Sequence, residues 1–158
     1  MIFVTVGTQH PFPRLIAAIN NLAEHMTELV IAQIGSDSAI YARLEVKRSL
    51  APAEYETVFS SARLIVGHAG VGTVLTAKRL CKPLVVLPRC FALVEDVNDH
   101  QEGTARQIVG LPGIYVVWDA KNIGDLVRSP MLTPATHAPS KQLSSLVAHL
   151  RIAIRNGK

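Results

Sequence analysis

Leu64-Ile65-Val66-Gly67-His68-Ala69-Gly70-Val71-Gly72-Thr73 decides how the chain is read. Three apolar residues make a short buried strand, and the glycines after them make a strand-to-helix turn. A glycine has no Cβ, so the backbone of such a turn approaches a ligand closely, and the first amides of the following helix point at it. The chemistry this suits is an anion, above all a phosphate. Two other phosphate motifs fail on spacing. The dinucleotide fingerprint G-x-G-x-x-G, started at Gly70, needs a glycine where Leu75 stands, and a P-loop needs a G-K-[ST] that does not follow. Glycines that serve only a tight turn are the structural alternative for this segment.

The same grammar recurs on either side. Residues 2–6 form an apolar run closed by Gly7, and from Phe12 to Met26 the apolar residues Leu15, Ile16, Ile19, Leu22, Ala23 and Met26 recur at helical spacing. Residues 29–34 predict a second strand stopped by Gly35, and 44–50 a third. Pro52 opens a helix to about Ser61. After the glycine turn a helix runs to about Cys81, followed by a strand over 84–87 ended by Pro88. A helix over about 98–109, a strand over 114–118 and a last helix over about 140–155 complete the order, the last with Leu143, Leu146, Val147, Leu150 and Ile154 on one face. Strands alternating with helices predict an α/β fold, a Rossmann-like parallel sheet with helices on both faces. Ligands in such sheets bind outside the carboxyl ends of the strands, at a switch point. The candidate loops are therefore residues 7–10, 35–37, 67–73, and Arg89 onward.

Length and composition agree with one globular domain over 1–158: 158 residues, 49% hydrophobic and 18% charged, exclude a disordered tail. Cys81 and Cys90 are too few for a disulfide framework and lack zinc-like spacing. No apolar run approaches the roughly 18 residues of a membrane span, and the N-terminus lacks a signal peptide's basic start. A cytoplasmic protein is expected. The formal charge of +4 is concentrated late: from Leu126 onward there are five basic residues and no acidic one. Without a dense Lys/Arg cluster and interleaved aromatics, nucleic acid is not the expected partner. An acidic partner or an anionic membrane surface fits better, and a solvated helix face is the bland alternative.

Among the polar residues in candidate loops, His68 and His100 are each either structural or ligand-facing. Asn98-Asp99-His100-Gln101 is a dense polar group opening a helix, suited to sugar hydroxyls, with helix capping as a role that can coexist. Glu95, Asp96 and Asp99 are carboxylates that could supply a base. There is no H-E-x-x-H, no D-x-D and no G-x-S-x-G, so neither a metal nor a serine nucleophile is expected.

Phe3-Val4-Thr5-Val6-Gly7-Thr8, His68-Ala69-Gly70-x-Gly72-Thr73, Lys82-Pro83-Leu84 and His100-Gln101, in that order, resemble the C-terminal domain of glycosyltransferase family 28, the donor-binding half of the two-domain GT-B fold. The resemblance covers Ile2 to about Trp118 and is nearest the small soluble subunit of two-subunit transferases. It implies a UDP-sugar donor, inversion, no bound metal or other cofactor, and a membrane-anchored, acceptor-binding partner. The group moved would be N-acetylglucosaminyl, glucuronosyl or glucosyl, transferred to a lipid-linked acceptor in polysaccharide or glycoconjugate synthesis. A UDP-sugar-binding regulatory or scaffold subunit without chemistry is the alternative, and a sugar epimerase a more distant one. Carried over, Gly7 and Thr8 lie near the diphosphate, and Ser49, Leu50 and Ala51 fall where uracil is contacted. His68, Ala69, Gly70, Val71, Gly72 and Thr73 form the phosphate-facing helix start, and His100 and Gln101, with Asp99 beside them, meet the sugar. Arg89 is added here as a cation near the leaving phosphate. Where relatives carry a ribose-binding glutamate this chain has Thr76, so ribose recognition falls to another residue such as Glu102. The basic side of the 140–155 helix is expected to face the partner subunit or the membrane beneath it.

Overall fold

The computed structural model describes residues 1–8, 10–95 and 100–136. The expected basic helix at 140–155 lies outside the described residues, as do Asp96, Asn98 and Asp99. Six parallel strands form one sheet: β1 (Ile2–Thr5), β2 (Val30–Gln33), β3 (Glu45–Lys47), β4 (Leu64–Gly67), β5 (Leu84–Val86) and β6 (Ile114–Val116), in the order β3-β2-β1-β4-β5-β6. β1 and β4 are buried along their whole length because each has a neighbour on both sides and helices on both faces. β3 is shorter than the 44–50 segment predicted. It is a charged and largely exposed edge strand, which discourages pairing with another chain.

The five α-helices among the described residues divide between the faces. α1 (Pro13–Ala23) and α5 (Ile123–Arg128) pack with Ile2, Val4, Val66 and Val85 on one side. α2 (Pro52–Ser61), α3 (Val71–Arg79) and α4 (His100–Ile108) pack with Phe3, Ile65, Leu84 and Val86 on the other. Alternate residues of one strand thus serve opposite cores, as a two-sided sheet requires. α1 is shorter at both ends than its apolar periodicity. α5, six residues long, is the element that periodicity does not reveal, since less than two turns of helix carry no measurable repeat.

Register sets the site. Thr5 lies opposite both Gln33 and Gly67, and Gly67 opposite Val86, so four strands end at one level. The turns that follow β1 and β4 open side by side there. The chain returns after α5 at the other end of the sheet, where Ala135 donates to the Lys82 carbonyl at 3.2 Å, next to Gly113, whose φ of +74° and crowding by Pro134 leave no room for a Cβ. On the α2 face, Phe3, Phe59 and Tyr55 stack edge to face or tilted, with centroids 5.5–6.0 Å apart. Phe59 is fully buried. Phe59→Ala is expected to lower unfolding free energy in urea by about 3–5 kcal/mol and to loosen Tyr55, the residue of this trio that reaches the site.

Candidate functional site

A cleft of about 770 Å³ opens at the carboxyl ends of β1, β2 and β4. Its floor is Thr5, Gln33 and the two glycine turns. The Gln33 carboxamide accepts from the Thr5 hydroxyl at 3.2 Å, and the Gly7 amide donates to that hydroxyl oxygen at 3.3 Å. This buried pair fixes the first turn to the strand ends, and Gly7 completes the turn with a φ of +78°. One wall is α2, through Pro52, Tyr55 and Glu56, preceded by Leu50; the opposite wall is the start of α4, through His100, Gln101 and Thr104. α3 begins between them.

Gly70 caps α3 in an extended conformation and, as a glycine, provides no side-chain cap. Four N–H groups at a helix start have no partner within the helix, and the helix dipole makes that end positive. Lys78 and Arg79 complement the dipole at the far end. The His68 imidazole lies folded between the two turns: a Cβ on Gly7 would stand 2.9 Å from His68 Cε1, and one on Gly70 at 2.3 Å from Nε2. Gly70 is therefore required by an imidazole of this chain, not only by the approach of a ligand. Gly72 differs, since a Cβ there meets nothing within 4 Å.

The predicted site residues are largely brought together. Gly7, Thr8, Leu50, His68, Ala69, Gly70, Val71, Gly72, Thr73, Thr76, Arg89, His100 and Gln101 line the cleft. Ser49 and Ala51 do not: they flank Leu50 on the exposed approach to α2, where the Ala51 carbonyl accepts from the Tyr55 amide. Arg89 is buried, and its Nη2 donates to the Val6 carbonyl at 3.0 Å and to the His10 carbonyl, with its guanidinium 5.0 Å from the Phe12 ring centroid. It therefore clasps the first turn as well as lining the cleft. The Gln101 side chain in turn accepts from the Arg89 amide. Glu95 is bound by Arg14 through two bonds of 2.7 Å, which staples the loop after β5 to α1, and it lies outside the cleft. Glu102 does not line the cleft either. Thr76 does, with its hydroxyl proton given to the Gly72 carbonyl at 2.8 Å.

Sequence reading passed over Thr5, Gln33, Tyr55, Glu56, Arg79 and Thr104, all of which line the cleft, as does His10 from the candidate loop at 7–10. Thr5 and Gln33 did leave a trace, each being a polar residue that ends an apolar strand. Burial pushes the Tyr55 phenol above its ordinary pKa, with hydrogen bonds to Thr73 and Thr5 partly offsetting it, so the group stays a neutral donor and acceptor. Among the described residues no group of His, Cys, Asp and Glu is placed to hold a metal ion, and no helix is long and apolar enough to cross a membrane.

The sequence matches the Glycosyltransferase family 28 C-terminal domain over residues 1–127. The chain belongs to that family. A search of curated protein sequences finds no match. Solved structures share the fold at low identity. ALG13 superposes with a TM-score of 0.59 at 20% identity, over 89% of this chain and 92% of that one. MurG of Acinetobacter baumannii gives 0.56 at 16% identity, over 79% of this chain and 39% of that one. The glycosyltransferase SsfS6 of Streptomyces, complexed with thymidine diphosphate, gives 0.56 at 17% identity, over 82% and 33%. This chain thus spans nearly all of one of these structures and between a third and two fifths of the other two. Its fold is that of the C-terminal half of a GT-B glycosyltransferase.

The glycine geometry separates two substitutions. Gly72→Ala is expected to leave stability unchanged or raise it by about 0.4–1 kcal/mol, because the site is open and helical. Gly70→Ala is expected to destabilise the fold and displace His68. Urea unfolding of both variants, with imidazole NMR shifts for His68, checks the contrast.

Proposed function

We propose that this domain binds the UDP-sugar donor of an inverting glycosyltransferase and acts with an acceptor-binding partner chain. The observation that carries the reading is the pair of turns at the β1–β4 switch point, with the glycine-capped start of α3 between them. The diphosphate sits against the amides of Gly72 and Thr73 and the turn at Gly7 and Thr8. The base lies toward Leu50 and Pro52, and the sugar toward His100 and Gln101. The thymidine diphosphate held by SsfS6 supports a nucleoside diphosphate as the ligand class.

The chemistry is displacement at the anomeric carbon, with the acceptor oxygen attacking as the bond to UDP breaks. Fixed N–H dipoles and the His68 imidazole stabilise the charge that develops on the leaving phosphate. Inversion requires attack from the face opposite UDP. A domain that grips UDP stands behind the leaving group, so the group that takes the acceptor's proton must face it from across the cleft. That is the physical reason to expect a partner. The hexosyl group and the lipid-linked acceptor stay as the resemblance implies, and the basic tail beyond residue 136 is the proposed contact with the partner or the membrane.

Calorimetric titration with UDP and with UDP-N-acetylglucosamine, UDP-glucuronate and UDP-glucose tests the reading. UDP is expected to bind, and Gly72→Val, whose Cβ meets no protein atom within 4 Å, is expected to weaken it by about ten-fold or more. A folded Gly72→Val protein with unchanged UDP affinity would place the phosphates elsewhere. His100→Ala is expected to reduce UDP-sugar affinity by about 0.5–1.5 kcal/mol while leaving UDP itself nearly unaffected, because the imidazole faces the sugar.

A further inference from the structure

We propose that Glu56, held by Arg79, reads the ribose of the bound nucleotide by accepting hydrogen bonds from its vicinal diol, and so selects ribonucleotides over 2′-deoxyribonucleotides. The proposal rests on the nucleotide-binding reading above and names the residue that sets its sugar specificity. Glu56 is the carboxylate that lines the cleft among the described residues. An isolated carboxylate in a cleft built for a diphosphate would repel the ligand. Arg79 removes that obstacle, because its Nη1 donates to Glu56 Oε1 at 2.7 Å and the pair carries no net charge. The bond is single, whereas an ionised carboxylate offers about four lone-pair sites, so Glu56 keeps acceptor capacity for two hydroxyl donors.

Its placement suits the ribose. Glu56 comes from α2, on the wall that carries Leu50 and Pro52, while the start of α4 forms the opposite wall. Thr76 and Arg79 mark the face of α3 that turns toward Glu56, and four residues, about 6 Å of helix rise, separate Gly72 from Thr76. A ribose attached to a phosphate at the start of α3 spans about one such turn. Thr76 cannot provide the recognition alone: its proton is engaged by the Gly72 carbonyl, and its oxygen serves one donor where a carboxylate serves two. SsfS6 shares this fold and is complexed with thymidine diphosphate, a deoxynucleotide, so the fold does not itself demand a 2′-hydroxyl. The demand must come from side chains.

The experiment is calorimetric titration of the full chain with UDP and with 2′-deoxy-UDP, on the unmodified protein, Glu56→Gln, Glu56→Ala and Arg79→Met. An exposed ion pair contributes little to stability, so all variants are expected to fold, which thermal unfolding verifies. The unmodified protein is expected to prefer UDP by about ten-fold or more, the range of a hydrogen bond to a charged group. Both Glu56 variants are expected to bind the two nucleotides within about two-fold of each other, with affinity for UDP falling further than that for 2′-deoxy-UDP, which loses only the bond from its 3′-hydroxyl. Arg79→Met, which frees the carboxylate to move, is expected to reduce the preference. If the preference survives in the Glu56 variants, or the unmodified protein shows none, the ribose assignment is wrong while nucleotide binding stands. Because unpaired Glu56 repels the diphosphate, Arg79→Met is also expected to weaken both nucleotides; if the preference for UDP is undiminished in this variant, Arg79 does not position Glu56. If neither nucleotide binds the unmodified protein, the functional reading falls and this proposal with it.

Discussion

Everything at the site depends on one topological constraint. β1 and β4 are neighbours, but the helix after β1 covers one face of the sheet and the helix after β4 covers the other. The two chain segments must part as they leave the strand ends, and between them a crevice opens without any side chain being removed to make it. Register reinforces this, because Thr5, Gln33 and Gly67 end their strands at one level. Polar residues at those ends are buried, yet the Thr5–Gln33 bond and the Gly7 amide satisfy one another, so the floor is both polar and fixed.

The crevice is then narrowed by a single imidazole. His68 fits between Gly7 and Gly70 so closely that neither position tolerates a Cβ without moving the ring. The missing Cβ atoms of these two glycines are what let this side chain fold across the turn. Arg89 closes the arrangement from the sheet side by gripping the carbonyls of Val6 and His10, which holds the first turn in place against the second. A cation first considered for its charge toward a ligand thus has a second, structural task.

Much of this was legible in the sequence because buried parallel strands are continuous apolar runs and glycine punctuates their ends. Strands at 2–5, 30–33, 64–67 and 84–86 follow directly from that pattern. What could not be read depends on where helices lie across the sheet. Tyr55 and Glu56 sit inside α2 and carry no local signal. They reach the cleft only because Phe59 anchors that helix against Phe3, and Arg79 meets Glu56 across a gap of 23 residues. Residues 49–51 show the same limit from the other side. Sequence alignment by resemblance placed all three together, whereas the turn into α2 presents Leu50 to the cleft and leaves Ser49 and Ala51 exposed. α5 escaped because a helix of six residues is recognised by what it covers, here α1, not by its own repeat.

The geometry also constrains how a partner could complete the site. The cleft lies at the carboxyl ends of the strands, whereas Ala135, just before the described residues end, is bonded to Lys82 at the amino end of β5. That point lies at the opposite end of the sheet from the cleft. If the proposed partner contact lies in the tail, assembly and nucleotide binding rest on separate residues. Charge reversal in the tail would then weaken assembly without altering nucleotide affinity, whereas changes at Gly72 or Glu56 would alter nucleotide affinity without weakening assembly. A partner seated directly on the cleft would couple the two, because its contacts and the donor's would share the walls formed by α2 and α4.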